Sequence, residues 1–230
     1  GVPSALLAKD IIHNISAVVL VAYDCLLTKP SNQTPELAEE KTQSVELLEL
    51  SCILLYYLSG TVKAAPRMIE AQSPAVLRDL WSKLLDIRSS QYAKELNFAA
   101  VSMELTTITV AVLGNLARHP FARNTLIEKG LTAELALLAQ EHTVHLQMRR
   151  SGIEAIIDSA GKEGGEEHID PVLSEKLLAT AVAALQEIAA DDESANTIAQ
   201  QGALRMLNVV ATYASDIALR TKAIITICNM

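Results

Sequence analysis

Aromatic side chains are nearly missing from this chain: one Trp, five Tyr and two Phe in 230 residues. With so few aromatics there is little to stabilise a pleated, half-buried surface, which argues against a β-rich fold. Glycine (9) and proline (7) are also scarce, so the chain has few breakpoints. Cations are outnumbered, 19 Lys and Arg against 27 Asp and Glu, for a net charge of −8. That balance argues against nucleic-acid phosphate as the main partner. Cys25, Cys52 and Cys228 stand singly in apolar runs with no CxxC pair. They read as buried, reduced thiols of a cytoplasmic or nuclear protein. No signal peptide is visible, and no apolar run is long enough to span a bilayer. The best candidate, Ile15–Tyr23, is bracketed by His13, Asn14 and Asp24.

What the chain does have is 33 Ala, 33 Leu, 18 Ile and 15 Val. Ala and Leu favour helix, and this apolar fraction excludes disorder and suffices for a large core. Charge is unevenly spread. From Ser159 to Gly202, nine acids face only Lys162 and Lys176, which is −7 of the total −8. The segment reads as a solvated loop with helix ends, the alternative being a partner-facing acidic patch.

Helix starts are marked by Thr34-Pro35, Ser73-Pro74 and Asp170-Pro171, each a capping side chain before a proline, and by Pro120. Gly60, Gly130, Gly152 and Gly202 follow apolar periodic segments, as helix C-terminal residues do. The pattern predicts helices over Ser4–Leu27, Glu36–Ser59, Lys63–Ala71, Ala75–Ile87, Gln91–Ala117, Phe121–Lys129, Ala133–Glu141 and Val144–Arg150. It continues over Ile153–Ser159, Val172–Ala190, Ala195–Gln200, Ala203–Tyr213 and Ile217–Asn229. Thr28–Gln33 and Gly161–His168 read as linkers, neither of them a domain boundary.

An internal repeat orders these helices. Leu113–Gly130 aligns with Leu185–Gly202 at an offset of 72, matching Leu113 with Leu185, Leu116 with Ile188, Asn124 with Asn196 and Gly130 with Gly202. Leu55–Gln72 aligns with Leu113–Gly130 at an offset of 58. Copies of one helical unit at unequal spacing predict stacking, because no single hairpin buries its own apolar face. Small residues at Ala111, Ala117, Ala181, Ala183, Ala184 and Ala223 let such helices approach closely.

The unit resembles the armadillo repeat: a short first helix, a glycine, a second helix, then a longer third helix ending in Asn and an apolar residue. Ala195–Met230 carries the resemblance best, with Asn196, Ile198, Gly202, Leu204 and Leu207 before the third-helix segment Ala223–Met230; Val112–Ala117 has the same ending. The resemblance implies an all-α fold, a right-handed α-solenoid of roughly four to five repeats, some degenerate or carrying insertions. It further implies one domain over 1–230, clearest over 45–230, with capping helices in 1–44 and an acidic inserted loop at 159–170.

In that family the third helices line a concave groove, where an Asn near each helix end clamps a peptide backbone. Asn115 and Asn229 are the matching asparagines here, with Glu187 and Tyr57 in the corresponding slots. The groove tryptophans of nuclear-import receptors fall on Ile53, Ala111, Ala183 and Ile225, which argues against recognition of a basic import signal. Arg118, His119 and Arg123 lie near Asn115, and Arg149 and Arg150 follow. Convergence of these cations would favour an acidic segment in that half and a basic one in the Ser159–Gly202 half.

Catalytic signatures are weak. His142 and His145 beside Glu141 could share a helix face but lack further metal ligands, and they read as surface histidines. Gly161–Gly165 lacks the order of a phosphate loop, and no GxSxG or Cys/His pattern occurs. The expectation is a protein without enzymatic activity, cofactor or metal, acting as a scaffold that binds a protein or peptide along the third-helix groove. Two alternatives are a co-chaperone or exchange-type module that clasps a folded ATPase domain, and a regulatory domain of a longer enzyme. The start Gly1-Val2-Pro3 and the apolar end Ile217–Met230 read as cuts from a longer protein, the apolar end offering a surface for association.

Overall fold

The computed structural model describes residues 9–27, 35–88, 98–150 and 171–230. Every regular element among them is helical: α1 (Lys9–Leu27), α2 (Pro35–Ser59), α3 (Ala65–Glu70), α4 (Ser73–Arg88), α5 (Phe98–Ala117) and α6 (Pro120–Glu128). There follow α7 (Leu131–Arg150), α8 (Pro171–Ile188), α9 (Asp192–Gln200), α10 (Ala203–Tyr213) and α11 (Ile217–Cys228). Pro35, Pro120 and Pro171 each open a helix, where a missing N–H leaves no bond unmade. Ser73 is different. Its hydroxyl lies 2.9 Å from that of Ser16, so it joins α4 to α1.

Two helices expected within 133–150 are one continuous helix, α7. The polar run Glu141–Thr143 interrupts the apolar pattern but not the backbone: His142 and Thr143 are buried, with His142 Nδ1 3.1 Å from Ser174 Oγ and Thr143 Oγ1 donating to the Gln140 carbonyl. The expected helix Ile153–Ser159 and both expected linkers lie outside the described residues.

The repeat is visible in the backbone. Among the described residues only Gln72 (φ 56°), Gly130 (φ 72°) and Gly202 (φ 97°) have positive φ, and these are the aligned last residues of the three copies. Each short helix closes the same way. Ala71, Lys129 and Gln201 donate to Arg67, Thr125 and Thr197, and the next residues, Gln72, Gly130 and Gly202, donate to Ile69, Ile127 and Ala199. The left-handed residue then turns the chain into α4, α7 or α10. Part of the unequal spacing lies in the second helices: α4 and α7 contain 16 and 20 residues, α10 only 11. In the last copy the third helix follows sooner, so that 42 residues separate Glu187 from Asn229.

Contacts divide the chain into two compact units, Gly1–Ala122 and Arg123–Met230. In the first, α1 pairs with α2 and α4 with α5, and the hairpins stack with α1 on α4 and α2 on α5. In the second, α7 pairs with α8 and α10 with α11, with α7 on α10 and α8 on α11. The arrangement repeats because the buried positions repeat: Leu55, Leu113 and Leu185 are aligned and buried, as are Leu58, Leu116 and Ile188. Small buried residues at aligned third-helix positions (Ser51, Thr109, Ala181 and Ala223) allow close helix approach.

Cys52 is fully buried, and burial, with Glu49 nearby, pushes its thiol up to about 12. Cys25 is half-buried and Cys228 exposed, so the expectation of three buried thiols holds for one of them. Trp81 is buried. Among the described residues no helix is long and apolar enough to cross a membrane.

Candidate functional site

Third helices α2, α5, α8 and α11 share more than a buried side. Aligned at offsets of 58, 72 and 42, each presents a solvent-facing stripe at steps of 4, 3 and 4 residues. The stripe is Glu46, Leu50, Ile53 and Tyr57 on α2, and Glu104, Ile108, Ala111 and Asn115 on α5. On α8 it is Lys176, Thr180, Ala183 and Glu187, and on α11 Ala218, Lys222, Ile225 and Asn229. All sixteen are partly or fully exposed. Steps of four and three keep side chains on one helix face. Solvent exposure of that face is therefore a property of the repeat, independent of any one side chain.

Tyr57, Asn115, Glu187 and Asn229 occupy the equivalent last position of this stripe. Tyr57 is 66% exposed, and its ring meets that of Tyr56 edge-on with centroids 5.6 Å apart. The Asn115 amide Nδ2 donates to Tyr56 O at 3.4 Å and Ser59 Oγ at 3.2 Å, which ties the end of α5 to the end of α2. Asn229 caps α11, its backbone N–H donating to Ile225 and Thr226. Glu187 is half-buried near the end of α8.

The two arginines lie off the stripe. Arg118 is exposed in the turn after α5. Arg123 is mostly buried on α6, where it donates to Asp191 Oδ2 at 2.5 Å. That pair joins a cation of the expected basic cluster to an acid of the expected acidic segment, so each neutralises the other. The side chains of Arg149 and Arg150 lie outside the described residues. Along the stripes the charged residues are Glu46 and Glu104 in the first unit and Lys176, Lys222 and Glu187 in the second, so the net signs run opposite to the expected halves. Glu46, Leu50, Glu104, Ile108, Lys176 and Lys222 were reachable by stepping back along the helix from the Asn slot, since the steps are those of any helix face.

Asp191 also caps α9, accepting from Ser194 N at 2.9 Å. That backbone donor, with the Ser194 side chain and then Arg123 adding to it, holds its carboxyl below the ordinary carboxylate range against an opposing effect of burial. The folded-state pKa lies below the unfolded one, so the stabilisation is complete above the ordinary carboxylate range and fades as pH falls through it. Asp191→Ala should cost about 1 kcal/mol at neutral pH, mostly as a lost cap, the half-exposed ion pair adding little. Thermal denaturation of both proteins at neutral pH and near pH 3 checks this, the difference narrowing in acid.

His142 is not at the surface. It is buried on α7, with Nδ1 3.1 Å from Ser174 Oγ on α8, so its role is to join two helices. The sequence shows two histidines three residues apart but not that this face of α7 meets α8. The side chain of His145 lies outside the described residues. Among the described residues no group of three or more His, Cys, Asp or Glu could hold a metal ion.

No family model matches the chain, and no curated protein matches it. Among solved structures, a designed armadillo repeat protein, YIII(Dq)4CqI, is similar over 96% of this chain and 92% of that chain, at 13% identity and a TM-score of 0.37.

Proposed function

We propose that this chain is a non-enzymatic protein-interaction scaffold of armadillo type, a right-handed α-solenoid of roughly four to five repeats that holds partner segments along its third helices. A cytosolic or nuclear setting is part of the proposal. One observation carries it: the same four positions of α2, α5, α8 and α11 face solvent, although their side chains change from helix to helix. Stability selects what is buried. Solvent-facing positions that recur on each third helix while their chemistry varies, from Leu-Ile-Tyr on α2 to Thr-Ala-Glu on α8, suit recognition of a ligand that reads side chains.

In this reading Tyr57, Glu187 and Asn229 contact the partner, and Asn115 sets the spacing of α2 and α5 through its amide. Arg118 is a rim residue. Arg123 is a structural one, because Asp191 occupies it.

Affinity capture from cell extract tests the reading with two kinds of bait. Charge introduced on the stripe (Leu50→Glu with Ile225→Glu) should lower partner recovery at least tenfold, roughly what loss of a binding hot spot costs. The same charge at exposed positions off the stripe (Leu137→Glu with Val172→Glu) should leave recovery unchanged. Equal recovery with both baits would remove the third-helix assignment.

A further inference from the structure

The stripe of α2 is the most apolar of the four. Leu50 (65% exposed), Ile53 (38%) and Tyr57 (66%) follow one another along a single helix face with Glu46 at its start. From Glu46 to Tyr57 the face runs about 16 Å at the rise of an α-helix. On the α5 stripe, Ile108 at the position aligned with Leu50 is half-buried, and Ala111 at the position aligned with Ile53 is small. The large, open side chains of α2 therefore adjoin a smaller, less exposed apolar stripe on α5, and together they make the ledge. Each of these helices is the second arm of a hairpin, and the hairpins stack arm on like arm. The two helices thus run in the same direction, and Asn115 ties their C-terminal ends. Glu46 and Glu104 stand at the other end of the ledge, exposed and in no ion pair among the described residues.

We infer that this ledge receives an amphipathic α-helix of a partner protein, with aliphatic side chains on its docking face and Lys or Arg in its C-terminal turn, lying antiparallel to α2 and α5. The inference deepens the reading of the third-helix stripes and rests on it. A helical occupant follows from the direction of the apolar surface, which runs along one helix axis with helical spacing. An extended strand crossing the two helices would take one position from each, Leu50 with Ile108 or Ile53 with Ala111, and leave the rest of the ledge open. Charge complementarity sets the orientation. Glu46 and Glu104 call for cations at their end of the ledge, and cations are at home in the last turn of a helix, against its negative pole. With that turn beside Glu46, the docked helix opposes the dipoles of α2 and α5. An anionic membrane surface would be repelled by the same two carboxylates.

The test uses the full chain and fluorescent synthetic peptides of about five helical turns, read by anisotropy. One carries four leucines on one face and three lysines in its last turn. A second replaces those lysines with glutamate, and a third has the composition of the first but a central proline that breaks the helix. The lysine peptide should bind, and Leu50→Glu should weaken it at least tenfold, roughly a hot-spot loss, with the circular dichroism spectrum unchanged. Glu46→Gln with Glu104→Gln should erase the preference for the lysine peptide over the glutamate one. Equal binding of the proline peptide would overturn the helical occupant and leave the third-helix reading standing. Equal binding of the glutamate peptide by the native chain would overturn the charge assignment. If no peptide binds, the ledge is not a helix acceptor. Binding that Leu50→Glu does not touch would count against both the ledge and the stripe.

Discussion

Leu185→Ala is expected to lower the free energy of unfolding of its unit by about 2–5 kcal/mol, the range for a large-to-small change at a fully buried position. Ile227→Ala, at the aligned position of the last third helix, should cost about 1 kcal/mol, because only part of its apolar surface is removed from water. The difference lies in the neighbours. Leu185 on α8 is fully buried with α11 stacked on its helix, whereas Ile227 on α11 is only half-buried. Ile224 is likewise 50% exposed, although the aligned Val182, Val110 and Cys52 are fully buried. Urea denaturation of the two variants checks the contrast. Equal losses would mean that these positions are not equivalent.

Gly202→Val is expected to cost more than about 1 kcal/mol, through backbone strain alone. Its φ of 97° is outside what a β-branched residue adopts. No heavy atom lies within 4 Å of where a Cβ would stand, so crowding adds nothing. Gly130→Val should behave alike, with φ 72° and equally open surroundings. Gln72 has the same conformation without being glycine. Gln72→Gly should therefore leave stability unchanged or raise it by up to about 1 kcal/mol, as relief of left-handed strain offsets the extra freedom of the unfolded chain. Differential scanning calorimetry of the three variants would show two melting temperatures falling and one holding or rising. A fall in all three would contradict a shared turn.

Much of the helix pattern was legible because its punctuation is chemical. Prolines opened α2, α6 and α8, and Gly130 and Gly202 closed the short helices; the bounds of α10, Ala203–Tyr213, could be read directly. Gln72 could not be recognised as the third left-handed residue, because glutamine carries no signal for that conformation; only its alignment with the two glycines points to it. The stripe was partly legible. Its last position follows from the aligned helix ends, but Leu50 and Ile53 sit in a nearly continuous apolar run whose outward side is set by how α2 packs on α1 and α5. Arg123 and Asp191 are 68 residues apart, and no local pattern announces that they meet.

The stripes as a binding surface can be tested one position at a time, with a photo-crosslinking amino acid placed in the full chain in cells. At Leu50, Ala111, Ala183 or Ile225, irradiation should yield covalent adducts to partner protein. At Val21, Leu137 or Val172, exposed but off the stripes, it should yield none. Adducts confined to the second set, or formed equally from both, would contradict the assignment of partner binding to the third helices.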